Sequence, residues 1–370
     1  MTNTVVQGLP RWSLAVPPLA LVVLVLSWGR DLGTILLILV CAGLGAAVIA
    51  AVHHAEVVAH RVGEPFGTLI LALAVTVIEV ALIVTLMASG GDKAASLARD
   101  TVFAAVMITC NGILGLSLVV GSLRHHVQDF RVRASTGVLA VMTALVTLSL
   151  VLPTFTTSAP GPQFSTAQLA FAGVASLVMY GVFVFVQTIR HRDYFLPVPD
   201  AEAEGEDEEG EEAHAAAPSS KTALLSLGLL FVCLISVVGL AKTVSPRLES
   251  AVESAGAPLG VVGVVIALLV LLPETVAAVR AALRNRLQTS VNLALGSALA
   301  SIGLTIPAIA VASIWLDGPL VLGLGAKEMV LFALTVVTSI LTLATGRATL
   351  LQGAVHLMVF SAFLFLAVSP

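Results

Sequence analysis

GEPFGTLILALAVTVIEVALIVTLM (63–87) and GAPLGVVGVVIALLVLLPETVAAVR (256–280) are two copies of one design. Glu56, Gly63, Pro65 and Gly67 form E-x6-G-x-P-x-G, and Glu249, Gly256, Pro258 and Gly260 repeat it 193 residues later. Each copy runs into an apolar stretch long enough to cross a bilayer and interrupted near its middle by one acid, Glu79 or Glu274. An apolar core of ~30 Å needs ~20 residues of helix. Glu79 has twelve uncharged residues on either side, and Glu274 has fifteen before it. Glu79 cannot reach water by stretching toward a membrane surface, and Glu274 has Arg280 six residues onward; both are expected to face protein or an aqueous cavity.

The rest of the chain agrees with a membrane solvent. Of 370 residues 58% are hydrophobic and 11% charged, against roughly 45–50% and 25% in soluble domains. Apolar spans are expected near 13–29, 32–52, 66–88, 101–122, 136–153, 167–188, 222–241, 258–279, 290–315, 328–345 and 349–368. The fold expected is an all-α integral membrane protein of about eleven helices. Residues 1–31 supply one extra helix, 32–189 a first five-helix repeat, and 222–370 a second. Five is odd, so the second repeat enters the membrane from the opposite face. Inverted repeats are the architecture of secondary transporters, whose sites lie at the repeat interface near mid-depth.

Residues 190–221 join the repeats. They carry DAEAEGEDEEGEE (200–212), nine acids with too little apolar surface to pack. Without that run 18 bases face 13 acids and the net charge moves from −4 to +5, so the overall sign says nothing of partners; nucleic acid is not expected. Twelve Lys and Arg lie before span 1 or after even-numbered spans, and six lie on the other side. Positive charge favours the cytoplasm, which places the N-terminus and the linker inside and the C-terminus outside. The start of the chain lacks a basic region and cleavage site, so the first apolar stretch is expected to remain as a span. Cys41, Cys110 and Cys233 are isolated in apolar sequence and read as packing residues.

Paired carboxylates at one mid-depth site suit a hard cation that takes oxygen ligands, and protons compete for the same oxygens. Pro273, directly before Glu274, removes a backbone donor and frees carbonyls one turn earlier. Thr76 offers a hydroxyl one turn before Glu79. With Arg99 and Arg286 aligned, Asn111 and Ser297 are the first candidates for neutral donors on the following helices. Thr109, Asn292, Ser301 and Thr305 are second choices, and for Ser301 and Thr305 close helix packing is the stronger reading.

These residues resemble the calcium/cation antiporter superfamily, in its cation/proton exchanger branch. The segment 63–87 and LLPETVAAVRAALRNRLQTSVNLALGSALASIGLTIPAIA (271–310) look like the two α-repeats of bacterial ChaA-type antiporters. The resemblance covers nearly the whole chain. It implies exchange of cytoplasmic Ca²⁺, and in some members Na⁺ or K⁺, for external H⁺ across a bacterial inner membrane. It implies Glu79 and Glu274 as central acids, Glu56 and Glu249 as acids at helix ends, and no cofactor. Plant and fungal members carry Gly-Asn-Ala before both acids; here Thr76-Val77-Ile78 and Leu271-Leu272-Pro273 stand there.

Three rivals fit less of the sequence. A sodium/calcium exchanger is the nearest. A passive channel lacks any filter or charged ring. An intramembrane metalloenzyme would use His53, Glu56 and His60, which share one helix face but do not form a zinc motif.

Overall fold

The computed structural model describes residues 9–30, 33–63, 66–90, 95–195, 218–315 and 318–370. Most of the 190–221 linker, including the acidic run 200–212, lies outside the described residues, as does Pro65. The described residues fold into helical rods in the order expected. They are α1 (Arg11–Ser27), α2 (Thr34–Val62), α3 (Phe66–Gly90), α4 (Leu97–His125), α5 (Val132–Thr154), α6 (Thr166–Arg190) and α7 (Ser220–Ser254). Then come α8, in two limbs (Gly260–Val270 and Leu272–Leu283), α9 (Leu287–Ala312), α10 (Ala326–Leu343) and α11 (Leu350–Val368). Eight rods are individually long and apolar enough to cross a bilayer, and the two limbs of α8 make a ninth. Apolar side chains such as Leu19, Ile35, Leu224, Val330 and Phe365 point outward, the arrangement expected where lipid is the solvent.

Two rods run past the spans that hydropathy marks. The break expected across 53–64 is confined to its last residues, because α2 continues to Val62; α7 likewise continues to Ser254, with Pro246 inside it. Hydropathy detects the apolar slab rather than the helix, and polar residues extend both helices beyond it. The repeated motif is what ends them. Gly63 (φ +75°) caps α2, and Gly256 (φ +70°) turns the chain just after α7. Both glycines hold the left-handed conformation that side chains resist, so the same motif makes the same exit.

Contacts between loops show that the chain alternates between the two ends of the bundle. At one end Arg61 donates to Ser220 (2.8 Å) and Arg131 to the Asp193 carbonyl (2.6 Å). There too β1 (Gln128–Asp129) pairs with β2 (Arg347–Ala348). All lie at the end of, or after, even-numbered rods. At the other end Arg99 donates to the Gly323 carbonyl (3.1 Å), Val321 N–H to Ala95 (3.0 Å) and Lys327 to Leu366 (3.0 Å). We call these the even and odd ends. The first motif glycine sits at the even end and the second at the odd end.

Packing follows the same rule. Shifting each helix number by five, up for the first half and down for the second, turns packed pairs into packed pairs: α3–α9 matches α8–α4, α6–α9 matches α11–α4, and α3–α7 matches α8–α2. One apolar core joins α1, α2 and α7 to α3 and the first limb of α8. A larger one surrounds α4 and α9 with α5, α6, α10 and α11. The helix carrying Glu274 contributes to both cores, and the helix carrying Glu79 belongs to the first and packs across on α9 and α4.

Candidate functional site

Glu79 sits in an unbroken α3 and is 2% exposed. Its Oε2 accepts a hydrogen bond from Ser301 Oγ on α9 at 2.7 Å. Thr305, one turn further along α9, brings its hydroxyl near the same carboxyl without completing a hydrogen bond. Oε1 of Glu79 is buried and has no partner. Thr76 is buried one turn earlier on α3.

Glu274 is held differently. The two limbs of α8 meet at a 52° bend at Leu271, and Glu274 lies in the first turn of the second limb. Pro273 has no N–H for the carbonyl of Leu269, while the Leu271 carbonyl receives both Thr275 N–H (2.9 Å) and Thr275 Oγ1 (2.7 Å). The break thus aims a helix start, where N–H groups outnumber their partners, at the carboxylate. Glu56 and Glu79 lie close enough for their charges to act on Glu274. Oε2 of Glu274, like Oε1 of Glu79, is buried without a partner. Two acids distant in sequence thus each keep one buried, unused oxygen. Uncompensated buried carboxylate oxygens are costly, and a bound cation or proton removes that cost.

The other expected site residues divide. Ser301, read from sequence chiefly as a packing residue, makes the hydrogen bond to Glu79. Ser297, Ser301 and Thr305 recur at intervals of four along α9, a signal already present in the sequence. Ser297 is half-buried one turn before Ser301. Glu56 is exposed near the even end of α2, and Glu249 accepts from Ser245 on its own helix at 2.7 Å. The first-choice donor Asn111 is not brought to the glutamates by any hydrogen bond. Its amide is spent on Thr335 (2.9 Å) and His356 (3.1 Å). The reason is local: residues Ile108–Ile113 form a π-helical turn, which inserts a residue and rotates the faces that ordinary helical spacing assigns. Thr109 bonds back to Ala105 and Val106, and Asn292 bonds to Gln288 and the Phe195 carbonyl. Neither contacts a glutamate through these bonds.

Among the described residues no group of three His, Cys, Asp or Glu side chains is placed to hold a metal. A cavity of about 230 Å³ opens at the odd end between the ion pairs Arg99–Asp100 (2.8 Å) and Lys327–Glu328 (3.5 Å). Neither central glutamate lines it.

The model for the sodium/calcium exchanger protein family matches residues 32–189 and 225–369. The chain is 48% identical to y4hA of Sinorhizobium fredii over 98% of its own length and 97% of the relative's. It is 37% identical to the sodium-potassium/proton antiporter ChaA of Escherichia coli, over 95% and 94%. Its fold is similar to that of the H⁺/Ca²⁺ exchanger CAX, with a TM-score of 0.69 and 16% identity over 95% of this chain and 87% of that one. A family model made of ion exchangers rather than enzymes and a ChaA relative along almost the whole chain agree, and the largely helical fold is the one such exchangers have. The chain belongs to the sodium/calcium exchanger family, in its cation/proton exchanger branch.

Proposed function

We propose that this protein exchanges cytoplasmic Ca²⁺, or Na⁺ or K⁺, for external H⁺ by alternating access at Glu79 and Glu274. The observation that carries the reading is the pair of buried, unpartnered carboxylate oxygens contributed by α3 and α8. A cation binds there when both carboxyls are ionised. One divalent cation, or two protons, neutralises the pair, and a neutral site crosses the interior at far lower cost than a charged one. Competition between the two occupants couples their movements. Ser301 supports the ionised form of Glu79 by donating to it. The bend at Leu271 supplies helix-start N–H groups to Glu274 and leaves the Leu269 carbonyl without its helical donor.

Spans 2–6 and 7–11 act as inverted five-helix units about this site, with α1 as an addition. The N-terminus and the even end face the cytoplasm, which the two-to-one excess of Lys and Arg there supports. Exposed Glu56, near Glu274 and toward that end, belongs to the cytoplasmic approach. The transported ions are the substrates; the reading needs no cofactor.

The test is transport by purified protein in liposomes with an imposed pH gradient, offering Ca²⁺, Na⁺ and K⁺ separately. The reading expects saturable cation uptake that collapses with the pH gradient. The family description favours one second reading, sodium-driven Ca²⁺ exchange. Uptake driven by a sodium gradient at uniform pH, and not by a pH gradient, would replace the proposal with it.

A further inference from the structure

His356 is fully buried on α11, far in sequence from both glutamates and with no part in the exchange described above. Both ring nitrogens are engaged. Nδ1 faces Asn111 Oδ1 at 3.1 Å, with the Cys110 carbonyl also beside the ring, and Nε2 faces Thr342 Oγ1 at 3.1 Å. Asn111 Nδ2 donates to Thr335 Oγ1 at 2.9 Å, and Thr335 donates to its own helix at the Leu331 carbonyl, 2.8 Å. All four side chains are buried.

For a neutral ring, donor bookkeeping gives this network one arrangement. An amide oxygen only accepts, so Nδ1 must carry the hydrogen. Nε2 is then the acceptor, and Thr342 donates to it. With the imidazole neutral, every hydrogen in the chain points from Thr342 through His356 and Asn111 to Thr335. An amide in the middle does not pass protons on, so the network is built for position rather than for conduction.

What it positions is the π-helical turn Ile108–Ile113, which contains both Asn111 and Cys110. That turn packs on α10 and α11 and also on α9 and the second limb of α8, the elements carrying Ser301 and Glu274. α11 is pressed against α4 just beyond it. A Cβ on Gly115 would lie 2.9 Å from His356 Cβ, and one on Gly353 would lie 2.7 Å from Val119 N. If the π turn relaxed to an α turn, everything after it in α4 would rotate by about 100° and move by about 1.5 Å. The α4 surface against Glu274 would then change.

We infer that His356 is a positioning residue of the cation site: through Asn111 it holds the π turn of α4 in register against the helices that carry Glu274 and Ser301. This rests on the exchange reading for its transport arm but has a second arm that needs no transport. In ¹⁵N-histidine-labelled protein, with the His356 signals found by difference against His356→Asn, the expected form is neutral with hydrogen on Nδ1. Asn111→Leu should disturb that signal. A hydrogen on Nε2, or a signal indifferent to Asn111→Leu, overturns the inference whether or not the protein exchanges ions.

In liposomes His356→Leu is expected to raise the apparent KM for the transported cation about tenfold with the maximal rate held within about twofold. His356→Asn, which keeps a donor at the Nδ1 position, should restore most of the affinity. Asn111→Leu should match His356→Leu, and the double variant should be no worse than either single one. Thr342→Val, a milder break, should give a smaller shift of the same kind and serves if His356→Leu fails to fold. Additive losses, an unchanged KM in both His356→Leu and Thr342→Val, or a fall in maximal rate alone that His356→Asn does not rescue would overturn it. Wild-type protein that moves no ion defeats the exchange reading and leaves the NMR arm to decide this one.

Discussion

The Glu79 and Glu274 regions occupy matching places in the repeat, yet their surroundings differ. Glu79 lies inside a continuous helix and takes a hydroxyl from α9. Glu274 opens the second limb of a broken helix, and the helix that corresponds to α9 in the packing, α4, turns its best donor away to His356. The motif glycines and the acids are shared; the polar neighbours are not. Each half of the chain supports its carboxyl by its own means. Backbone geometry supports Glu274 where a side chain supports Glu79.

Removing either acid should have the largest effect. Glu79→Gln and Glu274→Gln should each abolish coupled exchange, a loss of at least about a hundredfold, because an amide does not alternate between cation and proton. Equal losses in initial-rate assays would show that both halves are indispensable. Retained exchange in one variant would show that the halves have separated in function.

The next test addresses the backbone device alone. Pro273→Ala returns a donor to the Leu269 carbonyl and favours a straight α8. It should lower cation affinity about tenfold in a titration of transport rate, while the same change of conformation has no counterpart in α3. An unchanged affinity would remove the bend from the account. Ser301→Ala tests the opposite half. Loss of one hydrogen bond to an ionised carboxylate predicts an apparent KM raised about tenfold, and Ser297→Ala, one turn away and without a bond to Glu79, should cost about threefold or less. A reversed order would exchange their roles.

Much of this comparison was legible before the structure. The eleven apolar stretches, the two acids and the glycine motif are signals of composition and spacing, and positive φ at Gly63 and Gly256 explains why the motif needs glycine. Pro273 announced the bend. The position of Asn111 was not legible. Its assignment beside the acids assumed unbroken helical spacing through α4, and the six-residue π turn removes that assumption without leaving a residue pattern of its own. Ser301 was undervalued for a related reason: small polar residues on a membrane helix serve packing and ligation equally well. Only the 2.7 Å contact with Glu79 separates the two uses. The true ends of α2 and α7 were missed because hydropathy stops where lipid stops.

The smallest effect is expected from the linker. Deleting residues 202–212 should leave coupled exchange within about twofold, since the run has no counterpart in either repeat. A shift confined to low ionic strength would fit local concentration of cations by the eight deleted acids, an influence screened over ~8 Å at physiological salt. Complete loss in correctly inserted protein would make the linker part of the transport machinery.

The most direct test of the paired site is cation binding by detergent-purified protein, measured by isothermal titration at a pH where the two carboxyls are still partly protonated, with each glutamine variant beside the wild type. Two carboxylates sharing one ion predict a single saturable site in the wild type that releases protons as it fills, and no saturable site in either variant. Undiminished binding in Glu79→Gln or Glu274→Gln would contradict the claim that the two acids hold the cation together.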